Sequence, residues 1–358
     1  MADLAWIGAG ETAFVCRHGH EAPLVEELHR LGAAPRPTPL PGLVAASSAA
    51  ADLDPVWALQ TLPRVRVLRG ASVRALAEAA AEGLSERLDA TEASWDWHWL
   101  LPATLRGNPR PPMQRRAGLV QAGAADWLQR RRRRLARRRV DGSPVQPAEY
   151  LAQHLLLDAE TMLQSVAPCR RLAVGSSWPS PLPAGHAAVP DDPAAPASSY
   201  RKLEEGFALL GRWPAAGELA VDLGASPGGW TRVLRRYGAR VIAVDRAPLA
   251  ADLEADADVD ARIGDAFRFE PDAPLDWLVS DIVAYPERII ELLGSLGTLA
   301  PERGVVQMKF RGDVDWAAID TGLQTAAGQG YAARARHVFN DKNEVTIALR
   351  RAGKEAIR

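Results

Sequence analysis

This 358-residue sequence contains four lysines, Lys202, Lys309, Lys342 and Lys354, against 39 arginines. Arginine is the default cation here, so a position that keeps lysine asks for something arginine cannot do. Lysine can lose its proton when desolvated, and arginine cannot. Lys202 lies in Ser198-Ser199-Tyr200-Arg201-Lys202-Leu203-Glu204-Glu205, and Lys309 lies near the end of the strand-like run Gly304–Phe310. Two carboxylates close comparable runs: Asp281 ends Asp276–Asp281, and Glu344 opens the run through Arg350. Strand order allows these two amines and two carboxylates to converge; a solvated charge is the alternative for each taken singly.

A second constellation points to a cofactor. Val221-Asp222-Leu223-Gly224-Ala225-Ser226-Pro227-Gly228-Gly229-Trp230 reads as a strand, a glycine turn and a helix start. Glycines there allow close backbone approach to a ligand, and a helix N-terminus offers free N–H groups. Asp245, 23 residues after Asp222, ends the next strand and can accept from both ribose hydroxyls of an adenosine. Asp265, in Gly264-Asp265-Ala266-Phe267, can accept from an adenine amino group, with Phe267 packing nearby. The turn lacks Gly-x-Gly-x-x-Gly, and its spacing is Gly224-x-x-x-Gly228, which favours S-adenosyl-L-methionine over a dinucleotide.

The methylated atom is approached by elimination. Methylation at C5 of a pyrimidine needs a cysteine nucleophile. Cys16 and Cys169 both lie outside the cofactor region. The strand-like run that closes at Asp281 continues Ile282-Val283-Ala284-Tyr285, without the Asn/Asp-Pro-Pro-aromatic run of base-amino methyltransferases. An oxygen target remains.

These residues need a scaffold. Strands read at Leu219–Leu223, Arg240–Asp245, Asp276–Asp281, Gly304–Phe310, Tyr331–Val338 and Val345–Arg350, with helical patterns at 228–237, 286–297 and 314–328. That alternation predicts an α/β domain with a doubly wound, mostly parallel sheet over 198–358. The short link between the last two strands predicts an antiparallel hairpin. Upstream, residues 186–197 sit in a Pro/Ser/Ala-rich stretch and are expected to be a linker. Residues 1–70 read as a small α+β module, with strands at Ala13–Cys16, Leu43–Ala46 and Val65–Leu68 and a helix at Pro23–Leu31. Residues 71–185 read as a second domain. It has a helix at Val73–Leu88, the period-2 run Trp95-Asp96-Trp97-His98-Trp99, a Pro/Arg-rich loop at 102–112, a helix over Gln114–Arg139, and strands at Tyr150–Leu157 and Leu172–Val174. The three indoles form either a buried sheet face, the expected reading, or a base-stacking surface.

Net charge is −1, yet 106–139 holds twelve arginines and one acid. Arg130, Arg131, Arg132, Arg133, Arg134, Arg137, Arg138 and Arg139 are too many for one helix face, and a polyanion such as RNA is the expected partner. At 47% hydrophobic and 24% charged, the chain is an ordinary globular one. Two cysteines exclude a disulfide framework or a cysteine-rich metal site and suggest a reducing, cytoplasmic compartment. Met1-Ala2-Asp3-Leu4 has no basic n-region, and no uncharged apolar stretch of about 18 residues occurs, so neither a secretory signal nor a membrane span is expected. A metal-free monomer is expected.

The run Tyr200–Leu203 with Lys202, the turn Gly224-Ala225-Ser226-Pro227-Gly228-Gly229-Trp230, Asp281, Lys309 and Glu344 together resemble the FtsJ-like RNA ribose 2′-O-methyltransferases. The longer arrangement resembles the bacterial large-subunit rRNA methyltransferase M family. Phe14-Val15-Cys16-Arg17-His18-Gly19 and Asp341-Lys342-Asn343-Glu344-Val345-Thr346 support it. The resemblance implies a ferredoxin-like N-terminal module, a THUMP-like RNA-binding domain and a C-terminal Rossmann-like methyltransferase acting on a cytidine of 23S rRNA. It implies a Lys-Asp-Lys-Glu tetrad of Lys202, Asp281, Lys309 and Glu344, with Lys309 as proton acceptor. Cofactor contacts would come from Ser199, Gly224, Ser226, Pro227, Gly228, Gly229, Trp230, Asp245, Asp265 and Asp281. Two alternatives stand beside it. One is the same chemistry on tRNA or another rRNA site. The other is a catalytically silent RNA-binding or assembly protein, against which the intact tetrad argues.

Overall fold

A computed structural model describes residues 6–101, 111–192 and 198–353. The N-terminal tetrapeptide, most of the Pro/Arg-rich loop, part of the expected linker and Lys354 lie outside the described residues. The chain forms two compact units: residues 1–171 with 177–186, and 172–176 with 187–358.

The first unit contains two four-stranded sheets and a short hairpin. Strands β1 (Thr12–Val15), β2 (Arg36–Pro37), β3 (Leu43–Ala46) and β4 (Gln60–Leu62) form an antiparallel sheet in the order β2-β3-β1-β4, with helix α1 (Glu21–Arg30) between β1 and β2. Strands β5 (Arg66–Arg69), β6 (Trp95–Leu100), β7 (Tyr150–Leu156) and β8 (Thr161–Pro168) form the second sheet, in the order β5-β8-β7-β6. Helices α2 (Val73–Leu88), α3 (Pro111–Arg131) and α4 (Arg133–Arg137) accompany it, and β9 (Arg170–Arg171) pairs with β10 (Ser177–Trp178).

Several sequence expectations change here. The strand expected at 65–68 belongs to the second sheet, as β5 paired with β8, so a division after residue 70 follows a strand already committed downstream. One apolar cluster also joins Ala13, Val15 and Leu43 to Leu100, Leu155 and Leu163. Leu172–Val174 is not a strand but the turn between β9 and β10. The single helix expected over Gln114–Arg139 breaks at Arg132, whose φ of −139° and ψ of 54° are not helical. There Arg132 Nε reaches Asp89 at 2.9 Å, and Leu135 is buried beyond the break. Trp95 and Trp97 pack with Leu84, Val120 and Leu128 in a core cluster, as the buried-face reading expected.

The second unit holds the seven-stranded sheet. Helix α5 (Tyr200–Leu210) precedes β11 (Leu219–Leu223), and then α6 (Gly229–Arg236), β12 (Arg240–Asp245), α7 (Ala251–Glu254) and β13 (Val259–Ile263) follow. The chain continues through β14 (Trp277–Ser280), α8 (Pro286–Gly294), α9 (Leu296–Leu299), β15 (Arg303–Lys309), α10 (Trp316–Gly328), β16 (Tyr331–Arg336) and β17 (Glu344–Arg351). Strand order is β13-β12-β11-β14-β15-β17-β16. The first five are parallel to their neighbours, and β17 runs antiparallel between β15 and β16. This is the expected sheet with its antiparallel final pair. Val221, Leu223, Leu278 and Val279 are fully buried, which is why the central strands read as continuous apolar runs. Strand order reverses beside β11, and at such a switch point the crevice beyond the C-terminal strand ends takes ligands.

Candidate functional site

Lysines 202 and 309 reach the C-terminal edge of this sheet by different routes. Lys309 ends β15, and antiparallel pairing sets it opposite Glu344, the first residue of β17. Lys202 sits in the first turn of α5, whose Leu203, Phe207 and Leu210 recur at helical spacing and are buried. Glu205, one turn along and 4% exposed, anchors the helix to the segment before β17. It accepts from the amides of Phe339 at 3.2 Å and Asn340 at 3.0 Å.

The four tetrad positions form two ion pairs. Lys309 Nζ donates to Asp281 Oδ1 and to the Asp281 carbonyl, each at 2.6 Å, and lies 3.3 Å from the Ile282 carbonyl. Lys202 Nζ donates to Glu344 Oε1 at 2.5 Å. The pairs are not isolated from each other. Burial works to lower the Lys202 pKa, but the Asp281 charge, the Glu344 hydrogen bond and charge, and the Asp341 charge outweigh it, holding the ammonium above its ordinary value. The other carboxylate oxygen, Glu344 Oε2, is buried without a hydrogen-bond partner among the described residues. A buried, unpaired acceptor is costly unless something supplies a donor.

Beside this cluster is a cavity of about 180 Å³ lined by Gly224, Asp245, Arg246, Asp265, Ile282 and Val283, among others. Two glycines of the turn after β11 exclude side chains, and the first of them lines the cavity. Gly224 has φ +82°, and a Cβ there would lie 2.5 Å from Ile282 Cγ1. Gly228 has φ +115°, and a Cβ there would lie 2.1 Å from Leu253 Cδ1. Neither position accepts a side chain without displacement. Asp245 ties two loops together, accepting from Ser226 N at 3.0 Å and Ala247 N at 2.9 Å. Asp265 accepts from Phe267 N at 3.1 Å and Arg246 Nη2 at 2.9 Å, and those bonds, with the Arg246 and Arg268 charges, hold its pKa below the ordinary carboxylate value.

Other expected cofactor residues have architectural contacts. Trp230 is buried, and its Nε1 donates to the Ser199 carbonyl at 2.9 Å, which joins α6 to the start of α5. Ser226 Oγ donates to the Pro248 carbonyl, and the Pro227 carbonyl accepts from Ala250 N. Gly229 faces Ser199 Oγ, 3.4 Å from where a Cβ would stand. The sequence reading missed Arg246, Ile282 and Val283. Val283 is 83% exposed immediately after a buried strand, a pairing no pattern in one sequence reveals.

Asp222, which the sequence marks only as a strand residue, is 1% exposed and accepts from Thr231 Oγ1 at 2.7 Å. Burial pushes its pKa up to about 7 against the Thr231 hydrogen bond, helped by the Asp281 and Asp245 charges. A folded pKa above the unfolded 3.8 means its stabilising contribution is complete below pH 3.8 and is lost as pH rises towards 7. The stability difference between the native protein and Asp222→Asn is therefore expected to shift against the native protein across that window. Denaturant melts at stepped pH check this, and a difference independent of pH contradicts it.

The arginine segment divides by partner. Arg130 pairs with Asp126, Arg132 with Asp89, Arg134 with Glu92 and Arg139 with Asp141. Arg138 is part-buried and donates to the Thr91 and Leu88 carbonyls. These bonds tie the helix α4 end to the segment after α2. Arg131, Arg133 and Arg137 are exposed and pair with no carboxylate among the described residues. The thiols of Cys16 and Cys169 are raised by burial, Cys169 to about 12, so neither supplies a ready thiolate. Among the described residues, no helix is long and apolar enough to cross a membrane, and no cluster of acids, histidines or cysteines could hold a metal.

Residues 198–320 match the model of the family described as FtsJ-like methyltransferase. That stretch carries Lys202, the glycine turn, Asp281 and Lys309. Residues 198–320 are thus similar to FtsJ-like methyltransferases. Similar curated relatives include the ribosomal RNA large subunit methyltransferase M of Laribacter hongkongensis, 36% identical over 54% of this chain and 60% of the relative. The protein of the same name from Halorhodospira halophila is 36% identical over 49% of this chain and 51% of the relative. That from Marinomonas sp. is 33% identical over 44% and 48%. The matches thus span about half the length of these relatives.

Proposed function

We propose that this chain is an S-adenosyl-L-methionine-dependent RNA ribose 2′-O-methyltransferase acting on a cytidine of 23S rRNA. The observation that carries the reading is the pairing of Lys309 with Asp281 and of Lys202 with Glu344 beside a glycine-shaped, acid-lined cavity. The lining suits the adenosine part of the cofactor: Gly224 has no side chain to crowd Ile282, Asp245 offers acceptors for ribose hydroxyls, and Asp265 does so for an adenine amino group. When bound, S-adenosyl-L-methionine supplies an electrophilic methyl group on a sulfonium.

The chain's own residues then handle the hydroxyl. Lys309, in its neutral form, takes the proton of the ribose 2′-oxygen, and Asp281 aims Nζ and fixes its position. Lys202, held cationic by its surrounding carboxylates, steadies the oxyanion. Glu344 orients Lys202 through Oε1 and leaves Oε2 to accept from a substrate hydroxyl.

For the first unit we propose a ferredoxin-like module and a THUMP-like domain that together bind RNA. The strand order β2-β3-β1-β4, antiparallel throughout, supports the first, with a short 3-10 turn at Ser48–Asp52 where a second helix would stand. The parallel pair β6-β7 flanked by α2, α3 and β8 supports the second. A cytoplasmic location follows from an rRNA substrate.

Nucleoside mass spectrometry of RNA from a strain lacking the gene tests the target. Loss of 2′-O-methylcytidine from 23S rRNA is expected, and loss of a tRNA mark instead would reassign the substrate. The arginines make a separate prediction. Replacing Arg131, Arg133 and Arg137 with Gln is expected to weaken RNA binding. The log–log salt slope should become shallower by about 0.7 for each phosphate of single-stranded RNA that these side chains no longer neutralise. An unchanged slope in a salt-titrated binding assay contradicts a phosphate-binding role for them.

A further inference from the structure

The arginine helices carry a second feature that the methyl-transfer reading does not use. Strand β6 and helix α3 enclose a cavity of about 390 Å³, within the range that holds small ligands. Trp95 and Trp97 form its aromatic side, Ala122 and Leu128 lie on the helix side, and Gln121 and Arg139 add polar groups. The small residues Gly118, Ala122 and Ala125 share one face of α3 and leave the space open. Trp95 Nε1 is satisfied by the Leu135 carbonyl at 2.8 Å. Trp97 is 8% exposed, yet its Nε1–H has no hydrogen-bond partner among the described residues. Arg139 places its guanidinium 5.7 Å from the Trp97 ring centroid, and its carboxylate partner, Asp141, is 89% exposed. That guanidinium can therefore move at little electrostatic cost.

The neighbouring surface fixes the chemistry of the occupant. A separate cavity of about 460 Å³ is lined by Arg130, Arg131, Arg132, Arg133, Arg134 and Arg138, with two carboxylates, Asp89 and Glu92, among them. The short helix α4 serves both cavities: Ala136 faces the first, and Arg133 and Arg134 face the second. An aromatic slot with a stacking guanidinium, next to an arginine-rich surface, suits one flat heterocycle attached to a chain of phosphates.

We propose that the Trp95–Trp97 cavity receives a single unpaired nucleobase of the RNA while the adjacent arginines hold the flanking phosphates. The base stacks against the Arg139 guanidinium or the edge of the Trp97 indole. The subsite favours single-stranded or looped RNA, because paired bases do not present a free face. This inference rests on the RNA reading of the chain, and its test separates the two.

The full-length chain is titrated against a fluorescently labelled short oligoadenylate and against a matched strand of abasic residues, with anisotropy as readout. Wild type is expected to bind the base-bearing strand about ten- to a hundredfold more tightly. Ala122→Phe, which fills the slot, is expected to reduce that affinity to the abasic level while leaving the salt slope unchanged. Leu119→Phe, on the same helix at a 59% exposed position, is expected to bind as wild type does. Equal wild-type affinity for the two strands overturns the base subsite and leaves RNA binding intact, whatever Ala122→Phe does. Undiminished binding of oligoadenylate by Ala122→Phe also overturns it. Failure of wild type to bind either strand overturns both the subsite and the RNA reading.

Discussion

Lys309→Arg is expected to abolish methyl transfer while leaving cofactor binding unchanged. The substitution keeps the positive charge and can still pair with Asp281, whose Oδ1 sits 2.6 Å from Nζ. What it removes is the ability to give up and regain a proton. Loss of a general base lowers rates by roughly 10²–10⁴. Single-turnover transfer to RNA measures the loss, and calorimetric titration of the cofactor shows that the cavity is intact. A variant that transfers at the native rate would remove Lys309 from the proton path. Lys309→Met is a weaker test, because it also strands the Asp281 carboxylate without its cation.

Asp245→Ala is expected to weaken cofactor binding by about 10²-fold or more. Both carboxylate oxygens already organise the site, one accepting from Ser226 N in the glycine turn and the other from Ala247 N after β12. Hydrogen bonds to a charged group contribute about 1.5–3 kcal/mol each, so losing the turn's anchor and the ribose acceptor together reaches that figure. Asp245→Asn keeps one acceptor oxygen and should lose less. Calorimetry on the purified variants gives the affinities directly. Native affinity in Asp245→Ala would place the cofactor outside this cavity.

The legible and illegible parts of the sequence differ for physical reasons. The second unit can be read because its chemistry sits at strand ends, where a buried apolar run stops at a polar residue. Asp245 and Lys309 end such strands, and Asp281 directly follows one. The glycine turn is readable because two positive-φ positions there need glycine. Helix α5 is not evident from the sequence, although it is the element that brings Lys202 to Glu344; only the lysine's rarity draws attention to it.

The first unit is harder because its buried strands carry polar residues that interrupt alternation. Strand β8 is hidden in the sequence although it lies between β5 and β7. Gln164 and Ser165 are each 1% exposed within it, Gln164 Nε2 donating to the Ala80 carbonyl at 2.8 Å and Ser165 Oγ to the Pro63 carbonyl at 2.6 Å. Such distant partners leave no trace in the local pattern. At the break, Arg132 pairs with Asp89, more than forty residues away, and that contact is equally hidden. The indole run shows the reverse case. Period 2 correctly places three tryptophans on one face, but the orphan Nε1–H of Trp97 and the cavity beside it appear only in three dimensions.

The central claim is that the ribose 2′-oxygen of an RNA cytidine receives the methyl group. The most direct measurement incubates the purified chain with methyl-labelled S-adenosyl-L-methionine and isolated 23S rRNA, then separates the nucleosides by mass spectrometry. The account predicts label in 2′-O-methylcytidine with the wild-type chain and none with Lys309→Arg. Label on a base, or equal labelling by both proteins, would contradict it.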